Sequence, residues 1–405
     1  MIHFVSRTIQ VIAVLGCVSS SIYYVFCLWS AGVFLGERKA GRSAPSTLEQ
    51  STSEQSTPEQ GAQNLPPVSI LKPLKGTDPD IYECFRSHCL QDYPEYEIIF
   101  GVSDPADPAV ASVKQLQQEF PQLPIQLVVC AQNLGANVKV SNLEQMTETA
   151  RFDILIVNDS DIRVERDYIR RVTAPLFNDS VGMVTCLYRG VPEPTLGSKL
   201  ESLGIGTDFC AGVLVARLLE RGLGFGLGST LAFRRRDLNR IGGFRSIVEY
   251  LADDYELARK IAGLGLKVVL SDVVVETRLP AYDLHGFLQH QMRWARGVRD
   301  ARFGGYVGLA STFGLMWALL NLICARAAPW SSVVLAALLG LRVAMAVVVG
   351  NAVLNDRFVL RQLWLLPLRD LIAVGVWVAS FAGHTVTWRG DRFEVQNGRL
   401  TRIEP

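Results

Sequence analysis

Long stretches with almost no charge stand near both ends of the chain, and they constrain its fold more than any single motif. Residues 8–35 hold no acidic or basic side chain, and further apolar runs cover about 304–325, 330–354 and 362–384. A helix of about 20 apolar residues crosses a bilayer, and each run reaches that length. The apolar fraction of 49% is therefore concentrated at the two ends, which predicts a water-soluble domain held between membrane segments. Arg7 precedes the first run, while Arg38, Lys39 and Arg42 follow it. Positive charge favours the cytosolic side, so the next domain is expected in the cytosol. The same rule creates a conflict further on. Three full crossings would carry Arg389, Arg392, Arg399 and Arg402 to the opposite side, so either one run is re-entrant or the rule fails there. The first run is too long for the apolar core of a secretory leader, which argues against cleavage.

The expected divisions are an N-terminal membrane anchor at 1–36, a linker at 37–66, a soluble domain with an interfacial helix at 67–303, membrane helices at 304–387 and a tail at 388–405. Residues 40–66 carry the near-repeat STLEQ, STSEQ, STPEQ and almost nothing to bury, which predicts a disordered tether. A net charge of +1 gives no electrostatic footprint for nucleic acid, so no such partner is expected. The eight Cys form no C-x-x-C pair and do not cluster with the five His at ligand spacing. Buried free thiols fit this pattern better than disulfides or zinc.

Between 67 and 303 the pattern alternates. Apolar strand-like runs at 68–71, 96–102, 125–129 and 154–157 are separated by helical segments at 81–90, 109–120 and 142–150. Such β-α-β-α order predicts an α/β fold with a mostly parallel sheet. In such sheets ligands bind beyond the carboxyl ends of the strands. Lys72, Asp104, Asp107, Asp159 and Asp161 all follow strands and are expected along one edge. The run Ile154-Leu155-Ile156-Val157 leads directly into Asn158-Asp159-Ser160-Asp161. In an extended segment, residues two apart point to the same side. Paired carboxylates there are costly without a cation between them, and a divalent metal shared with a phosphate is the usual answer. A helix-capping Asp is the simpler alternative for an isolated D-x-D.

Later segments add to this set. Further strands are expected at 181–188 and 231–233, with a helix at 196–222 and a Gly-rich turn, GLGFGLGST, at 222–230. Asp253 and Glu256 fit a capping box at the start of a helix. Capping then accounts for Asp253 and leaves Asp254 as the functional candidate. An amphipathic helix at 283–302 carries His290, Arg293 and Trp294, and taken alone it reads first as a membrane-surface helix with Arg and Trp at the interface. Acidic groups at several strand ends suit sugar transfer from a nucleotide diphosphate. Asp159 and Asp161 would hold a cation, Asp104 or Asp107 would meet the nucleoside, and Asp254 would take the acceptor proton. Basic residues would stabilise the departing diphosphate.

Residues 67–300 resemble the membrane-bound GT-A glycosyltransferases of families 2 and 21, more closely the ceramide glucosyltransferase family. The matching segments are VSILKPLKG (68–76), DYPEYEIIFGVSDPADPA (92–109), GANVKVSNL (135–143), NDSDIRV (158–164), LADDYELARKIA (251–262) and QMRW (291–294). By this resemblance the family's three aspartates fall on Asp107, Asp159 and Asp254, its Arg-Trp pair on Arg293 and Trp294, and its loop lysine on Lys139, facing the nucleotide. His290 departs from the Gln or Arg of the family, and the adjacent Gln289 is a candidate substitute. Asp161 stands where eukaryotic ceramide enzymes carry Gly, which strengthens the metal reading.

The resemblance implies a UDP-sugar donor, Mg or Mn as cofactor, a membrane lipid acceptor within the bilayer, and inversion in a single displacement. Segments TCLYRG (185–190), NDSDIRV and GIGTDF (204–209) look most like the bacterial hopanoid-biosynthesis branch. That branch implies N-acetylglucosamine transfer to bacteriohopanetetrol at the bacterial inner membrane, with the catalytic domain cytosolic. Ceramide with UDP-glucose is the alternative. A polysaccharide synthase and a non-enzymatic lipid-handling membrane protein are the more distant ones.

Overall fold

The computed structural model describes residues 2–43, 65–388 and 391–403. Most of the expected linker, and Arg389 of the expected tail, lie outside the described residues. The chain forms two compact units, one of Leu35–Val191 with Leu219–Pro280, the other of Met1–Phe34, Pro192–Leu218 and Ala281–Pro405.

The first unit is built on an eight-stranded sheet. Its strands are β1 (Val68–Pro73), β2 (Tyr96–Val102), β3 (Ile125–Val129), β4 (Ile154–Val157), β5 (Ile162–Arg163), β6 (Val181–Val191), β7 (Leu231–Arg234) and β8 (Lys267–Arg278), in the order β3-β2-β1-β4-β7-β6-β8-β5. The β3-β2-β1-β4 half is parallel throughout, as the alternating pattern predicts, and β6 pairs with β8 in parallel. Strands β1, β2 and β4 are buried along their whole length. Each large aliphatic side chain so buried contributes about 1.5–3 kcal/mol.

Two antiparallel insertions shape the functional edge. β7 runs against β4, pairing Leu231 with Val157. The start of β7 therefore lies at the carboxyl end of β4, and the Gly-rich turn before it is delivered to Asp159. β5 runs against β8, pairing Ile162 with Thr277. The end of β8 is thereby brought beside Asp161. Neither β5 nor β8 is evident in the sequence. Ser271 and Asp272 interrupt the apolar pattern of β8; Ser271 is buried and Asp272 pairs with Arg171 at 2.6 Å.

In the second unit, helices Arg7–Ala40, Leu196–Leu219, Pro329–Val353 and Leu363–Ser380 are long and apolar enough to cross a membrane. The run expected at 304–325 is not one straight span. Phe303–Thr312 and Gly314–Cys324 meet at a bend of 51°, and each piece is too short to cross by itself. Arg342 is buried and binds Asp370 at 2.8 Å and Asp208 at 2.7 Å, with Thr207 completing its partners. Buried charge in an apolar setting requires such pairing. Asp370 thus pairs across helices with Arg342, while Arg369 donates to Gln291 at 3.1 Å.

The stretch expected as a tail from 388 carries regular structure. Thr385–Trp388, Asp391–Gln396 and Arg399–Arg402 form a three-stranded antiparallel sheet, β9 to β11. It is tied to the helix Leu284–Ala301. Arg296 donates to Ala382 O and Thr385 O, Arg299 donates to Ser380 O and Gly383 O, and Arg293 lies over the Trp388 ring. Charged and polar residues there, Arg392, Glu394 and Gln396, alternate with the buried Phe393 and Val395, and Leu400 is buried in the next strand, a period-two pattern that a short charged segment conceals.

Candidate active site

The site is assembled around the carboxyl end of β4. Asn158 is fully buried, and its Nδ2 donates to Tyr168 Oη (2.8 Å), Ser229 O (2.7 Å) and Thr230 Oγ1 (3.2 Å). These bonds fasten the end of β4 to the turn before β7. The next residue, Asp159, leaves the sheet. Its carbonyl accepts from Lys72 Nζ at 2.9 Å, and its Oδ1 meets Lys139 Nζ at 2.8 Å.

The ammonium of Lys72 is directed at the loop backbone. Lys72 is wholly buried under the loop, and burial lowers its ammonium to about 8. Lys139 is also paired internally, with Asp253 Oδ2 at 3.0 Å as its second partner. Burial opposes its charge, but Asp159 and Asp253 outweigh that effect and raise its pKa. It sits in the first turn of the helix Val138–Thr149, whose N-cap Asn137 accepts from Val140 N. That helix begins four residues before the expected start, because Asn137 supplies a cap that overrides the β-branched residues after it.

The capping role expected for Asp253 is not found. The N-cap is Ala252, the helix Asp253–Ala262 begins at Asp253 itself, and no side chain caps it. The carboxylate of Asp253 faces Lys139 instead. Asp254 Oδ1 accepts from Tyr255 N at 2.8 Å; burial, then Asp253, pushes its carboxyl up to about 6.

The extended geometry expected for Asp159 and Asp161 also fails, because residues 160–161 form a turn. Asp159 points to Lys139, while Asp161 accepts from Thr277 Oγ1 at 2.5 Å. Burial and then the charge of Asp159 push Asp161 up to about 7. Among the described residues no three His, Cys, Asp or Glu side chains come together as a metal-holding group. The charge balance nevertheless fits a divalent cation. Asp159, Asp161, Asp253 and Asp254 bring four carboxylates against the ammoniums of Lys72 and Lys139. Their hard oxygens suit Mg or Mn.

Gly228 has no obvious signal beyond its Gly-rich context. A Cβ placed there would lie 3.3 Å from Oδ2 of both Asp159 and Asp254. The two oxygens therefore converge on one bare stretch of backbone. Thr277, the partner of Asp161, lies in a strand hidden from the sequence. Asp107 accepts from Gly76 N at 2.8 Å and Ala109 N at 2.9 Å, and Asp104 from Ala106 N at 2.8 Å. Both carboxylates shape the loops after β1 and β2.

The Arg-Trp pair lies in the other unit. Trp294 packs edge-on against Phe209 at 5.5 Å and, tilted by 34°, against His290 at 5.7 Å. Nδ1 of His290 is 2.8 Å from Tyr282 Oη. Burial, then Arg293, lowers the His290 imidazole to about 3, so it is neutral. Gln289 does not turn inward as a substitute; it meets His285, while Gln291 donates to Glu201 at 2.6 Å.

A largely parallel sheet with carboxylates at its open edge, together with apolar helices in the second unit, is the architecture expected of the GT-A fold. The model of the glycosyl transferase family 21 matches residues 12–401, and the chain belongs to that family. Ceramide glucosyltransferase 3 of Caenorhabditis elegans is 26% identical over 234 residues, covering 58% of this chain and 50% of the relative. Ceramide glucosyltransferase of Gibberella zeae is 25% identical over 192 residues, covering 44% and 34%. The chain thus spans half or less of the length of these relatives. The mannosyltransferase PcManGT from Pyrobaculum calidifontis, in complex with GDP-Man and Mn2+, aligns over 91% of this chain and 99% of its own. Its TM-score is 0.51 at 20% identity, a likeness of fold.

Proposed function

We propose that this protein moves a sugar from a UDP-sugar to the hydroxyl of a membrane lipid, with inversion. The observation that carries the reading is the convergence of Asp159 Oδ2 and Asp254 Oδ2 on Gly228. One carboxylate there holds the donor side and the other receives the acceptor proton. The lipid oxygen bonds to the anomeric carbon as the bond to the diphosphate breaks, and its proton passes to Asp254. A raised carboxyl suits this role, since a base works best near the operating pH. No second carboxylate is needed as a nucleophile. Asp159 and Asp161 would hold a divalent cation, Mg or Mn, which when bound neutralises the departing diphosphate. Asp104, Asp107 and Lys139 are assigned to the donor by the family resemblance, as are Arg293 and Trp294.

The relatives are named as ceramide glucosyltransferases, which favours ceramide as acceptor and glucose as sugar. Bacteriohopanetetrol with N-acetylglucosamine rests on the segments TCLYRG, NDSDIRV and GIGTDF, and stands as the second reading. The four apolar helices support an integral membrane protein, and the charges after the first run support a cytosolic catalytic unit. The test uses the full chain in detergent with labelled UDP-glucose and UDP-N-acetylglucosamine, each offered to ceramide and to bacteriohopanetetrol. Asp254→Asn should abolish labelled lipid while retaining UDP binding. Normal transfer by this variant would remove Asp254 as the base. No transfer by the wild-type chain to any lipid would leave the polysaccharide or non-enzymatic reading.

A further inference from the structure

The ammonium of Lys139 joins carboxylates from two elements, Asp159 after β4 and Asp253 at the start of its helix. Its two attachments differ in kind. The segment leading to Lys139 is stitched to the segment leading to Asp253: Asn137 N donates to Val248 O and Asn137 Nδ2 to Tyr250 O, both at 2.8 Å, and Ala136 N donates to Glu249 Oε2. Gly135 packs so closely there that a Cβ would meet Glu249 Oε1 at 2.4 Å. Lys139 and Asp253 therefore share one backbone platform. Asp159 belongs to another, fastened by Asn158 and Lys72.

We infer that Lys139 is an internal counter-ion of Asp159, which gives up that carboxylate to the donor's divalent cation and stays with Asp253. This rests on the sugar-nucleotide reading above. The lysine stem is flexible enough to release one oxygen while keeping the other. Without nucleotide, the ammonium and a cation compete for the same carboxylate at close range. With nucleotide, the diphosphate supplies the negative charge that the displaced ammonium loses. Cation alone therefore binds weakly, and cation and nucleotide bind together. Lys139 acts here through Asp159 as a positioning residue.

The test measures Mn2+ binding to the full chain in detergent, without nucleotide, from the loss of the free Mn2+ signal in electron paramagnetic resonance. Lys139→Met should bind Mn2+ at least about tenfold more tightly than wild type. Lys139→Arg keeps the charge and should remain within about twofold. The double variant Lys139→Met/Asp253→Asn removes the ammonium together with one of its carboxylates, and should show the same tightening if the single variant folds poorly. No tightening in either Met variant overturns the inference. So does tightening in Lys139→Arg, or tightening that survives an added Asp159→Asn. Failure of the transfer reading itself appears separately, as absence of UDP-sugar turnover by the wild-type chain.

Discussion

Gly228→Ala tests whether the space between Asp159 and Asp254 is where reaction occurs. Gly228 is not among the glycines with positive φ, so an alanine probes space rather than backbone strain. The added methyl would stand 3.3 Å from Oδ2 of each aspartate. That is tight, and relief requires movements of a few tenths of an ångström. Overpacking of this kind costs about 1–3 kcal/mol; flexible carboxylate ends place it near the lower limit, a melting shift of about 2–4 °C for a unit this size. The rate should suffer more. A misplacement of about 1 Å costs on the order of a hundredfold in a positioned reaction, so a smaller shift of both carboxylates should cost about tenfold or more in kcat/KM. Gly182→Ala is the control. Its methyl would meet Ile261 Cγ2 at 2.6 Å and Leu266 Cβ at 2.7 Å, neither of them a site residue, so its effect should fall mainly on stability. Transfer of labelled sugar to lipid, measured alongside melting in detergent, separates the two. Wild-type kcat/KM in a folded Gly228→Ala variant would refute the argument that reacting groups lie over this glycine.

Other outcomes follow from the same geometry. The proposed base must be ionised, and burial, then Asp253, raises Asp254 to about 6; kcat/KM should therefore fall as pH drops through about 6, and a bound cation would move this limb lower, never higher. A rate independent of pH down to about 4 would contradict the assignment. Arg342→Met should destabilise the helical unit by about 3–5 kcal/mol, because Asp208 and Asp370 lose a buried partner; thermal unfolding in detergent reads this directly.

The first half of the sheet is legible in the sequence because β1 to β4 are apolar runs separated by helices, each followed by a turn. The second half is not. In β8 the polar pair Ser271-Asp272 breaks a pattern that tertiary contacts complete, and in β9 to β11 arginines mask the alternation of Val386, Phe393, Val395 and Leu400. The carboxylates are identifiable by type and order, but their directions are not. A capping box is a local signal, whereas Lys139, more than a hundred residues earlier, decides where Asp253 points. The i, i+2 rule for Asp159 and Asp161 fails because it presumes extended backbone, and the chain turns at Ser160.

The order of the strands has a consequence for how the protein is made. The sheet unit is interrupted by Pro192–Leu218, which includes most of an apolar helix able to enter a bilayer. As synthesis proceeds, β4 emerges with β1 as its partner and must wait for β7, whose place lies beyond that helix. Until then one edge of the central strand offers free backbone groups to any neighbouring chain, and the long-range pairings that complete the site close slowly. Ribosomes releasing this polypeptide away from a membrane should therefore yield aggregates, rather than an inactive but soluble domain.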